Sequence, residues 1–249
     1  MSLDASTLTL LVAVLVMAGV VKATIGFGLP MVAVSILTQI LPKEWALALM
    51  VLPIVFSNLF LGAPRHLLLP ALRRFWPVVI AVGVGILIGA LALSGLPQDS
   101  FLVVVGVVVI AFVLSEQFGL ALPVPPGHER GIGIASGLFG GLLGGVTTVY
   151  GPPLLLYLTA LRLGKQRYIA AIVVIWTAAA IFLVVVFNRS GILVGERFWW
   201  SVAACAPVGV GMWIGVRLRG RIPEEPFCQV VRLGLLLLGA NLIRRGLFS

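Results

Sequence analysis

Apolar residues follow one another along almost the whole chain, and only short polar stretches interrupt them. The interruptions leave ten apolar segments: 7–22, 26–41, 46–62, 76–94, 101–118, 131–146, 150–163, 168–187, 197–216 and 228–243. Several approach the ~20 residues that a helix needs to cross a bilayer. Segments 26–41 and 150–163 are short, so they are either tight spans or half-helices. The pattern predicts an all-α polytopic membrane protein.

The sequence also contains an internal repeat. A set of residues in and around segment 76–94 returns later with its internal spacing kept: Arg74-Phe75-Trp76, Gly83-Val84-Gly85, Gly89, Leu96-Pro97 and Phe101 reappear as Arg197-Phe198-Trp199, Gly209-Val210-Gly211, Gly215, Ile222-Pro223 and Phe227. Gly19 and Gly26 align with Gly137 and Gly144 at an offset of 118, which grows to 126 at Gly83 and Gly209. We predict two repeats, 1–120 and 131–249, joined by a linker loop at 121–130. Duplication within an apolar chain is typical of membrane transporters.

The number of segments in each repeat predicts opposite orientations in the membrane. Each repeat holds about five segments, and an odd number leaves the second copy inverted relative to the first. Arg217, Arg219 and Arg221 occupy a turn that is uncharged in the first copy, as expected for opposite faces, although chance could also have placed them there. Because Lys and Arg favour cytoplasmic loops, their distribution places the N-terminus outside, in the periplasm of a bacterial inner membrane.

Composition and charge limit the kinds of molecule that this protein can bind. The chain is 61% hydrophobic and 10% charged, whereas soluble domains carry about 25% charged residues. No stretch is left for a soluble domain, so function must lie within the membrane part. The net charge of +9 comes from basic residues in short loops, and no nucleic-acid module fits. Two cysteines and two histidines lie far apart, so we predict neither a metal nor a cofactor.

Glycine and proline mark two positions where helices are predicted to break or re-enter, near Gly26 and near Gly144. A break at membrane depth presents backbone N–H groups and a positive dipole end, which suits an anion. The first candidate is Gly26-Phe27-Gly28 before Pro30. The second lies within 137–153, where glycines precede hydroxyl side chains and a Pro-Pro pair: Gly144, Gly145, Thr147, Thr148, Tyr150, Pro152 and Pro153. Both ends are expected to face one central anion. The alternative is that these glycines only pack helices together.

Three further polar or aromatic side chains lie within apolar segments. Lys22 precedes Gly26 by four residues, and a lysine at membrane depth costs about 2.5–3.5 kcal/mol on insertion scales. It either adds charge to an anion site or extends its stem to the cytoplasmic surface. Asn58 either bonds another helix or lines a cavity, and Trp176 either walls a cavity or packs as a core aromatic. No Asp or Glu lies at the centre of a segment.

These features together resemble the sulfite exporter TauE/SafE family, which is also called the toluene-sulfonate uptake permease family. The resemblance rests on the glycine-rich segments, the Pro152-Pro153 restart, the Arg-Phe-Trp entry with its Gly-x-Gly helix, and the two inverted halves. It implies an inner-membrane carrier of sulfite, sulfoacetate or other small organosulfonates, usually an exporter. The implied binding residues are those of the two glycine-rich stretches.

The residues leave other functions open. A scaffold or assembly protein of the membrane would use the glycines only for packing and would show continuous helices through Gly26 and Gly144. An uptake permease for another small organic anion would use the same cavity. An intramembrane enzyme is disfavoured, because no Ser/His, His/Glu or paired-carboxylate set lies at depth. A homodimer remains open as well.

Overall fold

Helices account for most of the residues that the computed structural model describes, which are 4–60, 62–118, 124–125, 127–219 and 224–248. These residues form α1 (Ala5–Ile25), α2 (Leu29–Leu37), α3 (Lys43–Leu59), α4 (Arg65–Ser94), α5 (Gln98–Gln117), α6 (Glu129–Thr147), α7 (Gly151–Ala160), α8 (Lys165–Arg189), α9 (Glu196–Leu218) and α10 (Glu224–Phe248). The predicted all-α polytopic class is confirmed. Part of the predicted linker, 121–123 and 126, lies outside the described residues, as do Arg221, Ile222 and Pro223 of the repeat.

Helix length separates full spans from half-helices. Within the described residues, six helices are long and apolar enough to cross a membrane: α1, α4, α5, α8, α9 and α10. In contrast, α2 has 9 residues and α7 has 10. At 1.5 Å per residue these two measure about 14 and 15 Å, roughly half of a ~30 Å hydrocarbon core. Neither can span the core alone.

The largest difference in helix bounds concerns α4, which begins at Arg65 and not at residue 76. The sequence from Pro70 to Pro77 contains two adjacent arginines between its prolines and is typical of a loop. The helix nevertheless continues through it. The arginines are exposed, and Arg74 forms an ion pair at 2.8 Å with Glu129 of α6. The basic stretch is therefore the polar first half of a long helix.

The helices pack into two compact units that do not coincide with the two halves of the sequence. Unit 1 consists of Met1–Ser57, Pro97–Val113 and Ile192–Ser249, and unit 2 of Asn58–Leu96 and Leu114–Gly191. In unit 1 the main helix pair is α1 with α9, and in unit 2 it is α4 with α6. In each pair, one helix comes from each half of the sequence. The division into units does not test the repeats predicted from the sequence, 1–120 and 131–249, which stay a prediction.

Glycines create the close approach within each of these helix pairs. In unit 1, a Cβ atom added at Gly19 would lie 2.5 Å from the carbonyl oxygen of Val208, and one at Gly211 would collide with that of Val16. Unit 2 repeats the arrangement with α6 and α4, where the corresponding glycine–carbonyl pairs are Gly141 with Val82 and Gly85 with Leu138. Both helix pairs therefore pack backbone against backbone, as small residues allow in lipid.

These contacts correct part of the sequence alignment. They match Gly19 to Gly141, an offset of 122 (141 minus 19), and Gly85 to Gly211, the predicted offset of 126 (211 minus 85). The sequence-based offset of 118 for the first helix is thus one helical turn too short. Glycines recur every four residues from 137 to 145, so a slip of one turn still pairs glycine with glycine. In the corrected register, Lys22 corresponds to Gly144 and not to Gly140.

Within unit 1, the last helix holds the end of the half-helix α2. Asn241 of α10 donates a hydrogen bond of 2.7 Å from Nδ2 to Oε1 of Gln39, just beyond α2. The guanidinium of Arg245 donates at 3.0 Å to the backbone carbonyl of Gln39. Basic side chains stabilise the free carbonyls that follow a helix C-terminus. The C-terminal helix therefore fixes the position of α2.

Candidate functional site

The first predicted helix break is present in unit 1. Helix α1 ends at Ile25, and the N–H of Gly26 donates at 2.8 Å to the carbonyl of Lys22. Gly26 and Gly28 have φ angles of 98° and 96°, which residues with a Cβ atom rarely adopt. Phe27 lies between them and packs edge-on against Phe112 of α5, with ring centroids 5.4 Å apart. The predicted break at Gly26–Gly28 is confirmed.

Lys22 lies in the last turn of α1, one turn before this break. Its side chain is 4% exposed within the protein, so it does not extend to the protein surface as a snorkelling lysine would. The same residue supplies the carbonyl that accepts the N–H of Gly26. A buried lysine is thus held one turn before the α1–α2 turn.

The second break lies four residues later than Gly144. Helix α6 continues through Gly144 and Gly145 to Thr147, and Thr148 ends it with a φ of 62°. The N–H of Thr148 donates at 2.7 Å to the carbonyl of Gly144, as Gly26 does to Lys22 in unit 1. A β-branched residue in this left-handed region costs about 1–3 kcal/mol and is often found at functional sites.

Helix α7 then folds back along α6 as a hairpin. Cβ atoms added to the glycines of α6 would meet the returning chain in antiparallel order: Gly144 meets the side chain of Tyr150, Gly140 meets the carbonyl oxygen of Tyr150 and the side chain of Leu154, and Gly133 meets the side chain of Tyr157. Glycines at 140 and 144 leave room for this return. The hairpin brings Glu129 and Ala160, its two ends, towards the same side of unit 2.

The glycines proposed for the site have structural roles as well. A Cβ atom on Gly145 would collide with the carbonyl oxygen of Ile86 in α4, and one on Gly144 would lie 2.8 Å from the Cβ of Tyr150. Gly145 thus allows helix packing, the alternative stated for these glycines, whereas Gly144 allows the hairpin. A direct role of either residue in binding stays a prediction.

Three predicted residues meet beside this second break in unit 2: Asn58 of α3, Tyr150 immediately before α7, and Trp176 of α8. Nδ2 of Asn58 donates at 3.1 Å to the backbone carbonyl of Trp176, and the Tyr150 hydroxyl donates to the same carbonyl at 3.3 Å. Nδ2 of Asn58 also lies 3.5 Å from the Tyr150 hydroxyl. The rings of Tyr150 and Trp176 pack edge-on, with centroids 5.9 Å apart. All three side chains are buried, and Asn58 forms the helix-to-helix bond that was one of its two alternatives.

Two buried threonine hydroxyls shape the break itself. Oγ1 of Thr147 donates at 2.8 Å to Leu143 and accepts at 3.2 Å from the N–H of Val149. Oγ1 of Thr148 donates at 2.6 Å to the carbonyl of Thr147. Since Pro152 and Pro153 have no N–H, the N–H donors at the start of α7 are those of Tyr150 and Gly151. The turn thus concentrates neutral hydroxyl, amide and aromatic groups.

The sequence predicted the second break near Gly144, within 137–153, four residues before its position at Thr148, because Thr148 is not a glycine. The sequence signal that could have located this break was the position of the proline in the half-helix that follows it. Pro30 is the second residue of α2, and Pro152 is the second residue of α7. Counting back from each proline aligns Gly26 with Thr148 and Gly28 with Tyr150.

Long apolar spans, two half-helices and buried polar groups are the features of a multi-pass membrane protein. The family model described as Sulfite exporter TauE/SafE matches residues 11–242, and the chain belongs to that family. Its members are membrane transporters and not enzymes, with a small anion as substrate and lipid as surroundings. No curated protein and no solved structure matches the chain.

Proposed function

We propose that the protein carries small sulfur-containing anions, such as sulfite, sulfoacetate or other organosulfonates, across a bacterial inner membrane by alternating access. In this proposal it works as an exporter with its N-terminus in the periplasm. Family membership supports anion transport in general. The observation that carries the proposal for this chain is the burial of Lys22 one turn before a helix break.

The chemistry around the two breaks suits a sulfonate. Its oxygens accept several hydrogen bonds and carry a charge that persists at neutral pH. In unit 1 a buried lysine lies in the last turn of α1, one turn before the break from which α2 starts, and the N-terminal dipole of α2 favours an anion there. In unit 2 the donors near Tyr150 are neutral.

The scaffold alternative has less support. It predicts continuous helices through Gly26 and Gly144. Helix α1 stops before Gly26, and although α6 continues through Gly144 it stops at Thr147. The strained φ of Thr148 also favours a binding function, since a glycine would meet the purely structural need at that position.

The proposal is tested by a thermal-shift panel on the purified protein with sulfite, sulfate, sulfoacetate, taurine and acetate. A ligand at 100 times its dissociation constant stabilises the folded form by about 2.7 kcal/mol. We expect sulfite or sulfoacetate to raise the melting temperature at concentrations where acetate does not. Efflux of the stabilising anion from proteoliposomes should follow. Stabilisation by uncharged solutes alone would reject the proposal.

A second test uses the strained threonine. Thr148→Gly relieves the left-handed strain of about 1–3 kcal/mol but adds glycine's chain entropy of about 0.5–1 kcal/mol. We therefore expect an unchanged or slightly higher melting temperature together with a weaker response to the anion. Arg162→Gly is the matched control, because Arg162 also has a positive φ, of 48°, in a loop of unit 2. If both variants keep the full anion response, Thr148 has no part in binding.

A further inference from the structure

A groove between α4 and α8 in unit 2 plays no part in the proposed transport. Its volume is about 580 Å³, and none of the predicted binding residues lines it. Apolar side chains of α4 from Ile80 to Leu91 form one wall, and Arg189 and Ser190 lie at the end where α8 stops. The groove is thus apolar along its length and carries a cation at one end.

The length of the groove matches one leaflet of a bilayer. From Ile80 to Leu91 the helix rises about 16 Å, roughly half of a ~30 Å hydrocarbon core. Helix α4 ends at Ser94 and α8 at Arg189, on the same side of unit 2 as the basic end of the groove. The guanidinium group therefore lies where two apolar spans stop, at the depth expected for lipid headgroups.

The walls of the groove remain accessible to lipid. Ile80, Leu87 and Leu91 are 52%, 49% and 67% exposed, and Arg189 is exposed as well. At Gly83 the ring of Phe182 lies where a Cβ atom would be, so α4 and α8 meet closely there. In a membrane-spanning protein, such exposed apolar side chains contact hydrocarbon tails. A sulfonate would find few donors along this wall.

We propose that this groove binds one anionic phospholipid of the phosphatidylglycerol type. One acyl chain lies between α4 and α8, and the Arg189 guanidinium donates hydrogen bonds to the lipid phosphate. Arginine pairs well with phosphate because its planar guanidinium group can donate two parallel hydrogen bonds to phosphate oxygens. The net negative charge of the headgroup complements the cation, and the leaflet-length apolar wall fits the tail.

The headgroup contact is tested by native mass spectrometry of the full chain, titrated with phosphatidylglycerol or phosphatidylcholine. We expect the wild type to retain one phosphatidylglycerol preferentially. Arg189→Gln should weaken that retention about fivefold, the effect of one basic residue near a membrane surface. Arg167→Gln is the matched control, since Arg167 is exposed near the other end of α8. Equal retention by the Arg189→Gln and Arg167→Gln variants would overturn the proposal.

The tail contact is tested separately by filling the groove. Val84 lines the groove and is 44% exposed, and Val210 is its counterpart on α9 in the repeat. We expect Val84→Phe to lose bound phosphatidylglycerol several-fold while Val210→Phe keeps it, with both variants showing wild-type unfolding temperatures. Equal lipid retention by the two phenylalanine variants, or no preference of the wild type for phosphatidylglycerol, would show only non-specific lipid and overturn the site. Neither outcome depends on the transported anion.

Discussion

Replacing Lys22 with methionine is expected to reduce anion transport at least about tenfold while the protein stays folded. A hydrogen bond to a charged group contributes about 1.5–3 kcal/mol, and a tenfold change corresponds to about 1.4 kcal/mol. Methionine keeps the length and apolar stem of lysine but removes the charge. Because a buried lysine costs about 2.5–3.5 kcal/mol on insertion scales, the melting temperature should stay level or rise. The measurements are anion efflux from proteoliposomes and thermal unfolding of the same preparation.

The control for this experiment is Lys43→Met. Lys43 begins α3, is also largely buried, and lies 3.9 Å from Glu44, so it tests the general effect of removing a membrane-protein lysine. We expect the Lys43→Met variant to transport within about twofold of the wild type, since Lys43 lies at the start of α3 and not at either helix break. Equal transport by the Lys22→Met and Lys43→Met variants would remove Lys22 from the mechanism.

The sequence predicted helices well because apolar runs and prolines act locally. All ten predicted segments correspond to helices within the described residues, and the short segments 26–41 and 150–163 contain the half-helices α2 and α7. Helix bounds were less accurate where polar residues lie on an exposed face, as at Arg73 and Arg74 of α4. A polar residue there indicates exposure and not the absence of a helix.

The periodicity of apolar residues could not predict which helices pack together in each compact unit. Glycines at 85, 141 and 211 indicate close packing, but they do not identify the partner helix. The partner depends on which carbonyl fits each glycine, and that is a property of the folded backbone: Gly211 meets Val16, and Gly85 meets Leu138. A prediction of neighbours in sequence order would have missed both pairs.

In the corrected register, the position of Lys22 is occupied by a glycine in the second half of the sequence. Lys22 corresponds to Gly144, and Gly28 corresponds to Tyr150, at an offset of 122 in both cases. In unit 2 the glycine lies on the long helix and faces the large Tyr150 side chain. In unit 1 the large side chain lies on the long helix and the glycine precedes the half-helix. The two breaks share a left-handed residue whose N–H closes the preceding helix, Gly26 in unit 1 and Thr148 in unit 2. They differ two residues later, where φ is 96° at Gly28 and −97° at Tyr150. They present a lysine in one unit and a phenol in the other.

Introducing a single methyl group at Gly85 is expected to have the largest effect on folding. In Gly85→Ala the new Cβ atom would collide with the carbonyl oxygen of Leu138 and crowd the backbone of Leu142. These contacts belong to main-chain atoms, so no side-chain rotation relieves them. Overpacking of this kind costs about 1–3 kcal/mol and occasionally more, and we expect a value of about 3 kcal/mol or above. The measurement is thermal unfolding in detergent.

The chain offers a matched control in Gly234→Ala on α10, where a Cβ atom would meet nothing within 4 Å. Alanine is preferred over glycine inside a helix by about 0.5–1 kcal/mol, so the Gly234→Ala variant should unfold at the wild-type temperature or above it. Gly211→Ala should destabilise as Gly85→Ala does, because its Cβ atom would collide with the carbonyl oxygen of Val16 in the equivalent helix pair. If the Gly85→Ala and Gly234→Ala variants were equally stable, α4 and α6 would not be packed backbone to backbone. The pairing of one helix from each half of the sequence would then lose its physical basis.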